Sequence, residues 1–142
     1  LWNVATNNLI ESLAVVQRKC LRFILNKYPY SPNIELFSPQ ILPLQSINHF
    51  NTLLLAFKIK HNLLKINVNI PYKRDIHKYP TRQANDFSIS KCSTNYGRSD
   101  FFRRGLFAYN QLPTNLKSIQ TLQLFKRRIR EHLLQIYLEQ NI

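Results

Sequence analysis

Methionine is absent from the 142 residues, and glycine and cysteine occur twice each. Each shortage excludes something. A chain without Met that opens on Leu1-Trp2 is expected to be a fragment or a processed piece, not a complete translated product. Gly97 and Gly105 fit neither a Walker A loop nor a dinucleotide fingerprint, which excludes a Gly-rich phosphate cradle. Cys20 and Cys92 cannot supply a four-cysteine metal site or a disulfide-dense framework. The longest apolar run is five residues, Leu53 to Phe57, too short for a membrane-spanning helix. No basic region precedes an apolar one at the N-terminus, so no signal peptide is expected. Acid is scarce as well, with 7 Asp+Glu against 20 Lys+Arg.

What is present is apolar bulk and positive charge. At 44% hydrophobic residues the chain can bury a core. A domain of this size buries roughly 70% of the surface its unfolded chain exposes. The formal charge of +13 is larger than a small domain needs for solubility. Such an excess commonly serves a polyanion, either nucleic acid or an acidic membrane surface. The alternative is that an acidic partner, or an acidic part of a longer parent chain, balances it.

The apolar periodicity predicts a mostly α fold. Leu9, Leu13, Val16, Cys20 and Ile24 recur at helical steps over residues 7–27, with Thr6 or Asn7 as N-cap and Tyr28-Pro29 as terminator. That stripe is the expected core face, with Cys20 buried and inert. Arg18 and Arg22 fall with Glu11 on the opposite face, and Lys19 lies beside them. Ser31-Pro32 suggests a short helix over 32–37. Residues 44–65 form the most apolar helix, with one stripe at Ile47, Phe50, Leu54, Phe57 and Leu64 and a second at Leu55, Ile59 and Leu63. Residues 66–86 read as a loop or linker. Phe87 to Lys91 alternates like a strand and could pair with Thr94 to Tyr96, so a small β-hairpin is expected near 87–96. Ser99 is the expected cap of a helix over 100–111, with Phe102, Leu106 and Tyr109 facing inward. A last helix over 121–138 carries Leu122, Phe125, Ile129, Leu133 and Ile136 on one stripe. The expected organisation is thus a helical part at 1–65, a linker at 66–86, and a hairpin with two helices at 87–142.

No catalytic constellation is readable. Two-metal chemistry needs clustered carboxylates, yet Asp75, Asp86 and Asp100 stand apart. Glu11, Glu35, Glu131 and Glu139 read as solvated helix-surface residues. His49 and His61 lie twelve residues apart on one helix, while His77 and His132 are isolated, which does not suit a metal site. The segment is therefore expected to be no enzyme, with no cofactor, no metal and no small-molecule substrate. The basic residues carry more information. Arg98, Arg103 and Arg104 are interleaved with Tyr96, Phe101 and Phe102, a mixture suited to phosphates and unpaired bases. Packing in the core is the competing role for the two Phe. Lys126, Arg127 and Arg130 form a second basic edge on the last helix, and Arg18, Lys19 and Arg22 a third. Phosphate contacts are independent of sequence, so none of these patches predicts base specificity.

Four stretches, in order, resemble the C-terminal segment of a non-LTR (LINE-type, jockey-like) retrotransposon reverse transcriptase. They are Leu1-Trp2 with the Val16-Gln17-Arg18-Lys19-Cys20-Leu21-Arg22 run, then Ile41-Leu42-Pro43-Leu44, then Thr81-Arg82 followed by Phe87–Asn95. The last is Tyr109-Asn110-Gln111-Leu112-Pro113 with Phe125-Lys126 beyond it. Tyr109 stands where that family often has Trp, and Ser90 where Pro is common. The resemblance implies a piece following the polymerase thumb, in a eukaryotic element whose full chain is an RNA-directed DNA polymerase with an endonuclease. The polymerase aspartates would lie upstream, so no catalytic residue carries over. It further implies RNA or DNA and the upstream polymerase core as partners, and a nuclear or cytoplasmic location. Three other readings stay open: a structural module docking on the core through Leu55, Ile59 and Leu63, a decayed copy without function, and a free-standing basic DNA- or RNA-binding protein of other descent, against which the missing Met counts.

Overall fold

A computed structural model describes residues 7–64, 70–76, 81–94, 97 and 100–140. The described chain is mostly helical. Its helices are α1 (Asn7–Ile24), α2 (Leu44–Lys60), α3 (Lys73–Ile76), α4 (Phe101–Asn110), α5 (Thr114–Lys117) and α6 (Leu122–Gln140), with a 3-10 turn at Asn33–Leu36. No helix among the described residues is long and apolar enough to cross a membrane.

Both long N-terminal helices stop earlier than their apolar pattern suggests, and for the same reason. Asn26 and Asn62 each adopt φ of 51°, the left-handed region. The amide of Lys27 then reaches the Arg22 carbonyl at 2.8 Å, and that of Leu63 reaches Lys58 at 2.8 Å. This is the Schellman closure, which satisfies carbonyls that a helix end otherwise leaves open. Asparagine tolerates the left-handed region better than other side chains do.

The expected β-hairpin near 87–96 is not found among the described residues, and positions 95 and 96 lie outside them. Phe87 pairs instead with Tyr72 in an isolated antiparallel bridge. Its backbone polar groups are engaged elsewhere. The Asn110 amide donates to the Phe87 carbonyl at 2.9 Å and accepts from its N–H at 3.0 Å. Ser88 N–H donates to the Pro71 carbonyl at 2.8 Å. Both edges are held by residues distant in sequence, and no adjacent strand is found among the described residues.

The chain forms two compact units, Leu1–Asn51 with Thr121–Ile142, and Thr52–Gln120. The division falls inside α2 and differs from the expected order of 1–65, 66–86 and 87–142.

In the first unit, α1 turns inward a mixed face on which Ala14 and Leu21 are buried beside Gln17. The Gln17 amide donates to the Leu42 carbonyl at 2.9 Å and accepts from the Leu44 amide at 3.0 Å. It thereby caps an N–H at the start of α2 that has no partner within the helix. Ala14 and Leu21 are buried, whereas Leu9, Leu13, Val16, Phe23 and Ile24 are exposed. The stripe expected to form the core is the outward face, and Cys20 is exposed with it. The inward side also meets hydrogen-bonding groups of the 31–44 segment, through Gln17 and Arg22. On α6, Phe125, Ile129 and Leu133 are buried as their spacing predicts. The Phe37 and Tyr137 rings meet edge-on at 5.3 Å.

In the second unit, the Phe87 ring stacks on Tyr72 at 5.4 Å and meets Tyr109 edge-on at 5.7 Å. Leu106, Tyr109, Leu112 and Leu116 are buried on α4, α5 and the turn between them. The cap of α4 is Asp100, which accepts from the Arg103 amide at 2.9 Å. The expected cap, Ser99, lies outside the described residues. Asp86 accepts from the Lys117 ammonium at 3.0 Å, with Lys73 at 3.7 Å. Part of the 66–86 loop is likewise tied down, with Lys73 and Arg74 amides bonded to the Asp86 and Ala84 carbonyls.

Candidate nucleic-acid interface

The disposition of charge in this chain is decided by its seven acidic residues, each of which has a partner inside the fold. Glu11 binds Arg18 at 2.8 Å, Glu35 binds Lys27 at 2.8 Å, and Glu131 binds Arg128 at 3.1 Å. Asp75 accepts from the Tyr72 amide at 2.8 Å and lies near Arg74. Asp86 sits between Lys117 and Lys73, Asp100 caps α4, and Glu139 accepts from Gln135 at 2.9 Å. No group of three His, Cys, Asp or Glu among the described residues could hold a metal ion. The excess of cations is thus left without acid of its own.

The three basic patches fare differently. On α6, Phe125, Ile129 and Leu133 form the buried line, so a turn of 100° per residue sends Lys126, Arg127 and Arg130 to one flank. Arg127 and Arg130 are exposed and Lys126 half-buried, and none has an ion pair among the described residues. The Arg130 guanidinium lies 5.1 Å from the Phe50 ring centroid, a cation–π contact that steadies it without neutralising it. Arg128 is on the other flank, paired with Glu131.

The patch on α1 is largely committed to structure. Arg22 donates to the Ser31 carbonyl at 2.9 Å and to Asn33 Oδ1 at 2.8 Å, pinning the 3-10 turn. Arg18 is held by Glu11. Lys19 alone points to solvent. On α4, Arg103 donates to the Ser90 carbonyl and lines a cleft of about 450 Å³ with Phe102, Ile70 and Ser88. Arg104 is exposed. Arg98 and Tyr96 lie outside the described residues, as does the Phe101 side chain. The expected cluster at 96–104 is therefore described only through Phe102, Arg103 and Arg104.

Periodicity could not reveal Arg82 and Lys91, which are exposed in the second unit with no ion pair among the described residues. The open aromatic rings are also not the expected ones: Phe102 is half-buried, while Phe23, Tyr28, Tyr30 and Phe107 are exposed.

Burial also perturbs Lys60 and Tyr109 in the second unit. Lys60, over the Tyr109 ring at 5.1 Å, has its pKa lowered by burial and then by the nearby Lys117 charge. Tyr109 is pushed up to about 12 by burial, with Tyr72 adding to the shift. Both effects belong to a packed interior.

Two residues of the stretches that carry the resemblance to the retrotransposon segment join distant parts of the backbone. Gln17 joins the first stretch to Leu42 and Leu44 of the second, and Asn110 joins the fourth to Phe87 of the third. No family model, no curated protein and no solved structure matches this chain.

Proposed function

We propose that this chain is a non-catalytic, nucleic-acid-holding segment of a non-LTR retrotransposon reverse transcriptase, working in the nucleus or cytoplasm of its host. The resemblance in the four ordered stretches supports the family. One observation carries the binding role: all seven carboxylates are engaged within the fold, so the +13 surplus has no internal complement. Lys126, Arg127 and Arg130 are the foremost phosphate ligands, with the exposed Arg104 adding to them. Arg18, Arg22 and Arg103 act mainly by holding the backbone that presents the others. The ligand is template RNA or target DNA, gripped through its phosphates and without base specificity. No cofactor and no small-molecule substrate is assigned to the segment.

The test is the salt dependence of binding to a single-stranded RNA. Affinity falls as counterions are released, and each phosphate contact adds about 0.7 to the log–log slope on single strands. Replacing Lys126, Arg127 and Arg130 with Gln should lower that slope by about 2. An unchanged slope in a variant that keeps its helical content would remove α6 from the interface.

The docking alternative rests on Leu55, Ile59 and Leu63. Leu55 and Ile59 are half-buried, which leaves Leu63 as the open member of that stripe.

A further inference from the structure

The outward face of α1 is the least expected surface of this protein. Leu9, Leu13, Val16 and Phe23 are 60%, 49%, 55% and 89% exposed, and Cys20 is exposed in line with them. Their spacing is four, three, four, three. That alternation is the a/d pattern of a coiled coil, with Leu13 and Cys20 at a and Leu9, Val16 and Phe23 at d. Ile24, 71% exposed, widens the seam at its C-terminal end.

We propose that this face is a coiled-coil seam for a separate amphipathic helix whose own apolar line is flanked by carboxylates. A line of apolar side chains at this spacing suits knobs-into-holes packing against a second helix. The seam is also presented ready-made. Gln17 and Arg22, on the inward side of the same helix, anchor it to the 31–44 segment through four hydrogen bonds. No reordering of α1 is needed before a partner docks.

Charge selects among possible occupants. Lys19 takes a g position, where ion pairs set the choice of partner. It is exposed, with no ion pair among the described residues. Glu11, the acidic residue of α1, is held by Arg18 away from the seam. A second copy of the chain would set +13 against +13 and bring no acid to Lys19. A helix with Glu or Asp beside its apolar line supplies what the surface lacks.

The test uses the full chain and two synthetic three-heptad peptides, both with Leu at a and d. One carries Glu at e and g, the other Lys. Titration by fluorescence anisotropy should show the Glu peptide binding several-fold more tightly, because Lys19 attracts one and repels the other. Val16→Glu should abolish binding while thermal unfolding is unchanged, because Val16 is already exposed. Lys19→Glu should reduce or reverse the preference between the peptides. Several results would overturn the proposal: equal affinity for both peptides, no binding to either, or self-association of the chain alone that Val16→Glu removes. Adsorption of the chain to phosphatidylcholine–phosphatidylserine vesicles through this face, without binding of the Glu peptide, would reassign it to a lipid surface.

Discussion

The Asn110 side chain meets both polar groups of the Phe87 backbone, as a neighbouring strand would, and Phe87 itself is buried. Asn110→Ala would leave a part-buried N–H and C=O unpaired. The expected loss is about 1–3 kcal/mol, read from urea unfolding, and Asn110→Asp should not restore it because a carboxylate cannot donate to the Phe87 carbonyl. Tyr109 leads to a pH prediction. Its phenol is raised in the folded chain from about 10 to about 12, so the folded state holds that proton more tightly. The resulting stability is complete below the unfolded pKa and is lost as pH rises through the folded one. Stability should therefore fall between about pH 10 and about 12, and Tyr109→Phe should flatten that fall. Neither role is visible in sequence. Asn110 sits at a helix end, where Asn is ordinary, and nothing local links it to a residue twenty-three positions away.

At the scale of elements, α6 and α1 make an instructive pair. Both show a clean apolar stripe. On α6 the stripe is the buried face, so its basic flank at Lys126, Arg127 and Arg130 follows from geometry. On α1 the helix was legible and its orientation was not: hydrogen bonds from Gln17 and Arg22 bind the inward, mixed face to the unit. A periodic pattern tells how a helix divides but not which side meets this chain and which meets another. Helix contacts also fix one glycine. A Cβ on Gly105 of α4 would lie 2.8 Å from the Thr52 carbonyl oxygen of α2. In an open helix Gly→Ala gains up to about 1 kcal/mol. Here the obstacle is backbone, which no rotamer relieves, and overpacking costs about 1–3 kcal/mol. Gly105→Ala should therefore lower the melting temperature, and a rise would show that the two helices do not approach so closely.

For the whole molecule, the surplus charge acts on stability and on binding with opposite sign. Self-repulsion of a +13 chain weakens the folded state, and salt screens it. The melting temperature should rise by a few degrees between roughly 0.05 M and 0.3 M salt, where exposed charges become largely screened. RNA affinity should fall over the same interval. A melting temperature that fell instead would mean that the exposed ion pairs outweigh the repulsion. Sequence alone determined the helical class, the position of the long helices, the scarcity of acid and the basic flank of α6. These depend on composition and on local periodicity, which any segment carries with it. Tertiary structure decided the rest: that Phe87 is held by Asn110 in place of a hairpin, that every carboxylate is used at home, and that the apolar face of α1 looks outward. Those outcomes depend on which distant groups satisfy one another's hydrogen bonds, and spacing along the chain does not encode that choice.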